Sequence, residues 1–220
     1  MKSIVRTCAG SVMLLLMLLC SPVAMAQTMQ GFSVEEISDS VFARMQGKSF
    51  PKECTVKRSD LRYLQVLHVD AEGQTHRGEM VCNKAIATDL LEIFQELYRQ
   101  RYPIEQIRLI DDYDANDERS MQANNTSCFC YRVVNGTKVL SKHAQGLAVD
   151  INALYNPCVR TRKNGTVVVQ PSTGKPYTNR ARSFPYKIVK GNLLYRLFTE
   201  HGFRWGGNWR TVKDYQHFEK

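Results

Sequence analysis

The sequence predicts an α+β fold in which an antiparallel sheet carries helices packed on one side. Two segments, 83–101 and 188–201, have apolar residues at helical spacing. Two Asn-Gly pairs, at 135–136 and 164–165, stand beside short runs of strand-forming residues and are typical of β-hairpin turns. Because strands and helices occur in mixed order along the chain, this pattern indicates α+β architecture.

The first helix is predicted over residues 83–101. Asn83 can cap its start, and Pro103 prevents its continuation. The apolar residues that recur at helical spacing are Ile86, Leu90, Phe94, Leu97 and Tyr98. A short strand is predicted next, over residues 107–110.

A hairpin is predicted from residues 130–134 and 138–140, joined by the first Asn-Gly pair. It leads directly into Ser141 and His143. Gly146 then permits a sharp bend, and residues 147–151 are predicted as a buried strand.

The second Asn-Gly pair precedes another predicted strand, residues 166–169. The second helix, 188–201, would end at Gly202, a residue favoured at the C-terminus of helices. Its inward-facing residues are predicted to be Leu193, Leu194, Leu197 and Phe198.

The N-terminus has the features of a secretory signal peptide. Lys2 and Arg6 precede an apolar run over 12–19, and Ala24-Met25-Ala26 forms a small-x-small cleavage signal. Cleavage would leave Gln27 as the first residue of an exported protein, periplasmic or extracellular. No later stretch has the roughly 18 consecutive apolar residues needed to span a bilayer, so no stable membrane insertion is expected after cleavage.

The predicted organisation is a signal peptide over 1–26, an N-terminal extension and start of the domain over 27–80, and the core of the domain over 81–220. Cleavage would remove two basic residues and two of the seven cysteines, which lowers the net charge from +9 to +7 and leaves five cysteines. In an oxidising compartment five cysteines suggest two disulfides and one free thiol. Plausible pairs are Cys54 with Cys82, and Cys128 or Cys130 with Cys158.

Two motifs place metal-binding residue types at spacings that suggest a single site. The segment from Ser141 to Asp150 contains His143 and Asp150, and Asp214-Tyr215-Gln216-His217 follows near the C-terminus. Two imidazoles and one carboxylate suit Zn²⁺ and leave a fourth coordination position open, as in catalytic zinc sites. Asp214, three residues before the last histidine, is predicted to be the general base that accepts a proton from the attacking water.

These motifs resemble those of the zinc D-alanyl-D-alanine carboxypeptidase family, which includes L-alanyl-D-glutamate endopeptidases. That family has an S-x-H-x(6)-D segment followed by E/D-x-x-H, and this chain has both in the same order. The run Trp205-Gly206-Gly207-Asn208-Trp209 looks like the W-G-G-x-W of the endopeptidase-like branch. The resemblance begins near residue 83 and implies the fold shared by these peptidases and the Hedgehog signalling domain.

The resemblance also implies roles for two further residues. Arg132, just before the first hairpin turn, resembles the family arginine that stabilises the oxyanion formed at the scissile carbonyl. The alternative is a structural arginine that pairs with Asp111 or Asp117. Ser141 would bind a substrate carboxylate or orient His143, and a plain turn hydroxyl is the competing interpretation. Trp205 and Trp209 would line the cleft or pack in the core.

The resemblance implies a zinc peptidase that acts on peptidoglycan stem peptides, as an endopeptidase or as a carboxypeptidase. A net positive charge would help to attract the free carboxylates of such peptides. The basic residues are scattered, without the interleaved aromatic residues of a nucleic-acid groove, so nucleic acid is not an expected partner. The alternative from another class is a non-catalytic binding or signalling module stabilised by zinc on the same scaffold.

Overall fold

A computed structural model describes residues 29–134 and 137–220. The predicted signal peptide and the predicted turn at Asn135-Gly136 lie outside the described residues. Within the two described ranges the chain forms four α-helices and eleven β-strands, with short 3₁₀ helices between some of them. In chain order these are β1 (Ser33–Glu36), α1 (Asp39–Met45), β2 (Leu61–Val69), β3 (Thr75–Asn83), α2 (Ala87–Arg99), β4 (Gln106–Ile107), α3 (Asp117–Gln122), β5 (Asn125–Thr126), β6 (Ala148–Asp150), β7 (Cys158–Thr161), β8 (Val167–Gln170), α4 (Leu193–Glu200), β9 (Arg204–Trp205), β10 (Val212–Asp214) and β11 (His217–Glu219).

The α+β class is confirmed, although the strands are divided among several small sheets. Three sheets are antiparallel, with the strand orders β1-β2-β3, β10-β7-β8 and β6-β11-β9, and β4 pairs with β5 in a short parallel sheet. From β6 onward each strand spans only two to four residues, so each sheet forms one small part of the structure. The two sheets that contain β6 and β7 carry the candidate site.

The first sheet packs against helices on both faces. Leu64 and Met80 point into the main core cluster with α2, whereas Leu61 and Val81 point into a second cluster with α1. This follows from the alternation of side chains along a strand. The sequence predicted helices on one side of the sheet only, and α1 on the other side departs from this prediction. The apolar side chains of α1 are buried against that second face.

The two predicted long helices are present and shorter than expected. Helix α2 begins at Ala87, because Asn83 still belongs to β3 and pairs with Leu61. Helix α4 begins at Leu193, because the Asn192 side chain caps it by accepting a hydrogen bond from the Tyr195 N–H.

Some of the predicted strands are present, and others are shorter than predicted. Strands β6 and β8 lie where the sequence predicted strands, and the predicted Asn-Gly turn at 164–165 joins β8 to β7, a strand that was not predicted. The predicted strand over 107–110 is limited to β4, after which residues 110–113 form a 3₁₀ helix. The predicted hairpin over 130–140 is reduced to one bridge between Val133 and Leu140.

Residues before position 80 are integrated into the same core as those after it. Strand β3 crosses the predicted boundary at residue 80, and its pairing with β2 is continuous. The main core cluster joins Phe32 near the N-terminal end to Phe218 near the C-terminal end. Within the described ranges no helix is long and apolar enough to cross a membrane.

Candidate metal centre and active site

Asp150 and His217 meet through strand pairing. They are directly opposite each other in the antiparallel β6–β11 pair, so their side chains lie on the same face. His217 Nδ1 is 3.0 Å from Asp150 Oδ1. The sheet therefore places two of the predicted metal ligands side by side, although they are far apart in the sequence.

His143 reaches the same place from a 3₁₀ turn, residues 143–145. Its N–H donates to Ser141 Oγ at 3.2 Å, and Gly146 ends the turn with a φ of +67°. A Cβ at Gly146 would lie 2.7 Å from the backbone nitrogen of Asn83. Glycine is thus required here both for the left-handed conformation and for the close approach of β3.

The three side chains form a compact His-Asp-His triad (His143, Asp150 and His217). His143 Nε2 lies 3.2 Å from Asp150 Oδ2 and 3.2 Å from His217 Nδ1. One ligand atom from each residue lies within 4.8 Å of the other two. Ligands at about 2.0–2.1 Å from a tetrahedral zinc are roughly 3.3 Å apart, so the triad fits a zinc ion both in donor chemistry and in spacing.

The outer ring nitrogens of the two histidines are held by acceptors. His143 Nδ1 donates to the carbonyl oxygen of Cys128 at 2.7 Å, and His217 Nε2 donates to Glu219 Oε2 at 3.3 Å. Glu219 also pairs with Arg204 at 2.8 Å. Such contacts orient metal-binding imidazoles and direct the other ring nitrogen towards the metal.

Sequence reasoning missed both of these supporting groups. A backbone carbonyl such as that of Cys128 leaves no signature in the sequence. Glu219 could have been found, because His217 and Glu219 are two residues apart on one strand and so share a face.

The charges within the triad shift its pKa values. Burial alone would raise the pKa of the Asp150 carboxyl, but His143 and His217 hold it well below its usual range. Burial alone would lower the pKa of His217, but hydrogen bonds to Asp150 and Glu219 raise it to about 10. Without a metal, the triad is therefore held together by a buried ion pair.

Asp214, the predicted general base, lies at the end of β10 opposite Cys158 of β7. Its Oδ1 atom is buried and has no hydrogen-bond partner within the described chain. Burial raises the pKa of its carboxyl above the usual value. A buried carboxylate oxygen without a partner is costly unless a ligand or water occupies the adjacent space.

The Gly-Gly pair before this strand has a direct structural role. A Cβ on Gly206 would lie 2.7 Å from the backbone oxygen of Asp214, 2.9 Å from its Cβ and 3.3 Å from the Cβ of His217. Only glycine lets this segment pack against both Asp214 and His217. Trp209 then packs on the His217 ring, with 5.3 Å between the centroids, whereas Trp205 is buried in the main core.

Arg132 and Ser141 both line the cleft that contains the triad. Arg132 forms an ion pair with Asp117, which is one of the two partners considered for a structural arginine. Ser141 is buried, and its hydroxyl orients the His143 turn. The structure therefore places both residues beside the triad without assigning either a role towards substrate.

The cleft has a volume of about 610 Å³. It contains all six of the predicted site residues. Its lining comprises Ala115, Asn116, Asp117, Glu118, Met121, Arg132, Val133, Val134, Ser141, His143, Asp150, Cys158, Arg160, Gln170, Trp209, Val212, Asp214, Gln216 and His217.

The five cysteines of the described chain are free thiols, and none of the predicted disulfides is formed. Cys54 packs against the second core cluster, whereas Cys82 faces the main cluster on the other side of the first sheet. Cys128 is buried in the main cluster, and Cys158 lies in the cleft. The first sheet thus separates Cys54 from Cys82.

Residues 135–220 match the family model described as D-alanyl-D-alanine carboxypeptidase. This match supports the predicted family over these residues. The matched region contains the whole triad and Asp214, whereas Arg132 precedes it. The match supports a peptidase of the D-alanyl-D-alanine carboxypeptidase type. No curated protein and no solved structure matches the chain.

Proposed function

We propose that the protein is an exported zinc peptidase that hydrolyses peptide bonds in peptidoglycan stem peptides, either as an L-Ala-D-Glu endopeptidase or as a D-Ala-D-Ala carboxypeptidase, on a fold of the Hedgehog and DD-peptidase type. One observation carries this proposal. The His-Asp-His triad lies in a cleft large enough for a peptide, and the buried carboxylate of Asp214 lines the same cleft.

His143, Asp150 and His217 would hold the metal. Zinc in such a site acts as a Lewis acid that activates water and polarises a carbonyl group. The hydrogen bonds from His143 to the Cys128 carbonyl and from His217 to Glu219 keep both imidazoles in the orientation that this requires.

Asp214 would move the protons. Its raised pKa favours uptake of a proton from the attacking water, and its position in the cleft allows it to return that proton to the leaving amine. A zinc-stabilised binding module has no need of a buried, unpaired carboxylate in this position, so Asp214 favours catalysis.

Arg132 would stabilise the oxyanion. Its ion pair with Asp117 restricts the guanidinium at the edge of the cleft, and a fixed positive charge is most effective when it needs no reorganisation during the reaction. Ser141 would act indirectly, by fixing the turn that presents His143.

Digestion of purified peptidoglycan, followed by mass spectrometry of the products, tests the proposal. Free D-Ala would identify a carboxypeptidase, and new D-Glu N-termini an endopeptidase. Zinc binding without any product would instead indicate the binding module.

The matched variants are Asp214→Asn and Asp39→Asn. Asp214→Asn should keep its zinc while kcat falls by on the order of 10²- to 10⁴-fold, the usual contribution of a positioned acid–base group. The side chain of Asp39 is 98% exposed on α1, so Asp39→Asn should have wild-type activity. Full activity in Asp214→Asn would show that the base lies elsewhere.

A further inference from the structure

One face of the β10-β7-β8 sheet forms a side of the cleft, which we call the cleft wall. Strand register places Asp214, Cys158 and Gln170 in one row across the three strands, and Arg160 beside Val212 in the next row. All five residues line the cleft. The cleft wall therefore leads from the predicted general base to a cationic residue.

Of the two arginines that line the described cleft, only Arg160 lacks an acidic partner. Arg132 pairs with Asp117, and Glu118 accepts hydrogen bonds from the N–H and hydroxyl of Ser172 at 2.7 and 2.8 Å. Among the described residues, no carboxylate forms an ion pair with Arg160, and its guanidinium makes no hydrogen bond within the chain. The cleft thus presents one guanidinium whose donors remain available to a ligand.

The position of Arg160 limits which part of a substrate it can contact. It is two residues from Cys158 along β7, a separation of roughly 6.5 Å. An extended peptide advances about 3.3–3.6 Å per residue. A substrate bond held beside Asp214 would therefore place a group one or two residues further along the peptide within reach of Arg160.

The surroundings of Arg160 favour an anionic ligand with two oxygens. Arg160 is directly opposite Val212 of β10 on one side and Val168 of β8 on the other, so the base of its side chain lies between two apolar residues. A partly apolar surface strengthens a charge-assisted hydrogen bond, and the planar guanidinium matches a carboxylate in bidentate geometry.

We propose that Arg160 binds a carboxylate of the substrate, one or two residues from the scissile bond, and so makes the enzyme selective for acidic peptides. The carboxylate is either the chain-terminal group or a free carboxylate within the peptide. This inference rests on the proposed peptidase function, since it names a substrate feature recognised in the same cleft.

The test uses Arg160→Met, which keeps an apolar stem of similar length and removes the charge. The matched control is Arg162→Met, because Arg162 is exposed on the same hairpin and does not line the cleft. Arg160→Lys, which keeps the positive charge but lacks the planar guanidinium that binds a carboxylate in bidentate geometry, serves as a conservative variant. Circular dichroism establishes that each variant is folded.

Binding is measured first in the metal-free protein, through the fluorescence of Trp209 beside His217. Short stem-like peptides are supplied in two pairs. In the first pair, one peptide ends in a carboxylate and the other in an amide. In the second pair, the same difference is made at a carboxylate within the peptide. The wild-type protein should prefer the acid in one pair by about 10- to 100-fold, the usual value of a hydrogen-bonded charge. The pair that shows the preference identifies the source of the carboxylate.

Arg160→Met should reduce the preference to about one, Arg160→Lys should give an intermediate value, and Arg162→Met should retain it. With zinc and a cleavable peptide, the same ratio should appear mainly in KM. An acid preference that survives in Arg160→Met, or is missing from the wild-type protein, would overturn the inference. Failure of the zinc-loaded protein to cleave any peptide would refute the proposed function instead, and the metal-free binding data would still decide the role of Arg160.

Discussion

The ionisation of His217 should control zinc binding. In the metal-free protein both ring nitrogens of His217 face carboxylates, Asp150 on one side and Glu219 on the other. These contacts outweigh burial and raise its pKa to about 10. Zinc binds only the neutral imidazole, so metal binding at neutral pH must displace a proton.

The expected loss of zinc affinity follows from the difference between pH 7 and this pKa. Three pH units correspond to about 4 kcal/mol, or roughly a thousandfold lower zinc affinity than the deprotonated site would have. His217 is only 7% exposed, so solvent screening reduces this value little. His217 should release about one proton per zinc near pH 7, whereas a histidine with the usual pKa of about 6.5 would release roughly a quarter of one.

The same shift predicts how the stability of the metal-free protein depends on pH. Because the folded pKa of His217 is raised, its contribution is fully present below the unfolded value of about 6.5 and is lost as the pH rises towards about 10. The lowered pKa of Asp150 acts in the other direction, since its contribution is lost on acidification below about pH 4. The raised pKa of His217 and the lowered pKa of Asp150 arise from the same ion pair. This ion pair should stabilise the metal-free fold most between about pH 4 and 6.5.

The direct assay is NMR titration of the His217 imidazole in metal-free protein, supported by thermal unfolding between pH 6 and 10. Glu219→Gln should lower the pKa of His217 and weaken the pH dependence, because it removes one of the two carboxylates. Glu72→Gln, on an exposed turn, is the matched control. A His217 imidazole that titrates below pH 7 in the wild-type protein would refute the reasoning.

Two further changes test the construction of the site. His143→Ala or His217→Ala should abolish stoichiometric zinc binding in metal analysis, because each removes one of three protein ligands. His201→Ala, at the C-terminal end of α4 and outside the cleft, should still bind one zinc per chain. Gly206→Ala should lower both activity and the free energy of unfolding, the latter by about 1–3 kcal/mol, because its methyl group would collide with Asp214. Wild-type denaturation and kinetics in that variant would contradict the close approach seen here.

The sequence predicted elements that depend on local patterns. Helices α2 and α4 were found from apolar spacing, and the β7–β8 hairpin from its Asn-Gly turn. Their limits were less certain, because a residue such as Asn83 can cap a helix or end a strand with equal ease. The structure resolves this choice through the pairing of Asn83 with Leu61, a contact between distant parts of the chain.

The N-terminal part of the fold was underestimated for a related reason. Ile37, Val41 and Met45 recur at helical spacing, and this signal could have revealed α1 before the structure was known. The face that α1 covers could not be read in the same way. It depends on Leu61 and Val81 lying on one side of the first sheet, which is a consequence of strand register.

The candidate site, like the fold, was predictable from the sequence only in part. The residue types and spacing of His143, Asp150 and His217 singled out the triad, because few side chains bind zinc and the motif order was specific. Sequence reasoning could not supply the carbonyl of Cys128 or the cleft wall, and it could not choose between Asp111 and Asp117 as the partner of Arg132. Each of these depends on which distant segments of the chain become neighbours.

Core packing and site geometry are specified by the same short strands. In β6, Val149 is buried in the main core, whereas Asp150 faces the cleft; in β11, Phe218 is buried, whereas His217 faces the cleft. A slip of one residue in either strand would exchange these faces, placing a candidate ligand in the core and an apolar side chain at the candidate metal site. Burial of an unpaired Asp or His costs free energy, so the slipped pairings are disfavoured relative to the register that aligns Asp150 with His217. Because the apolar and polar residues of each strand enforce the same register, a three-residue strand is enough to hold a candidate metal ligand in place.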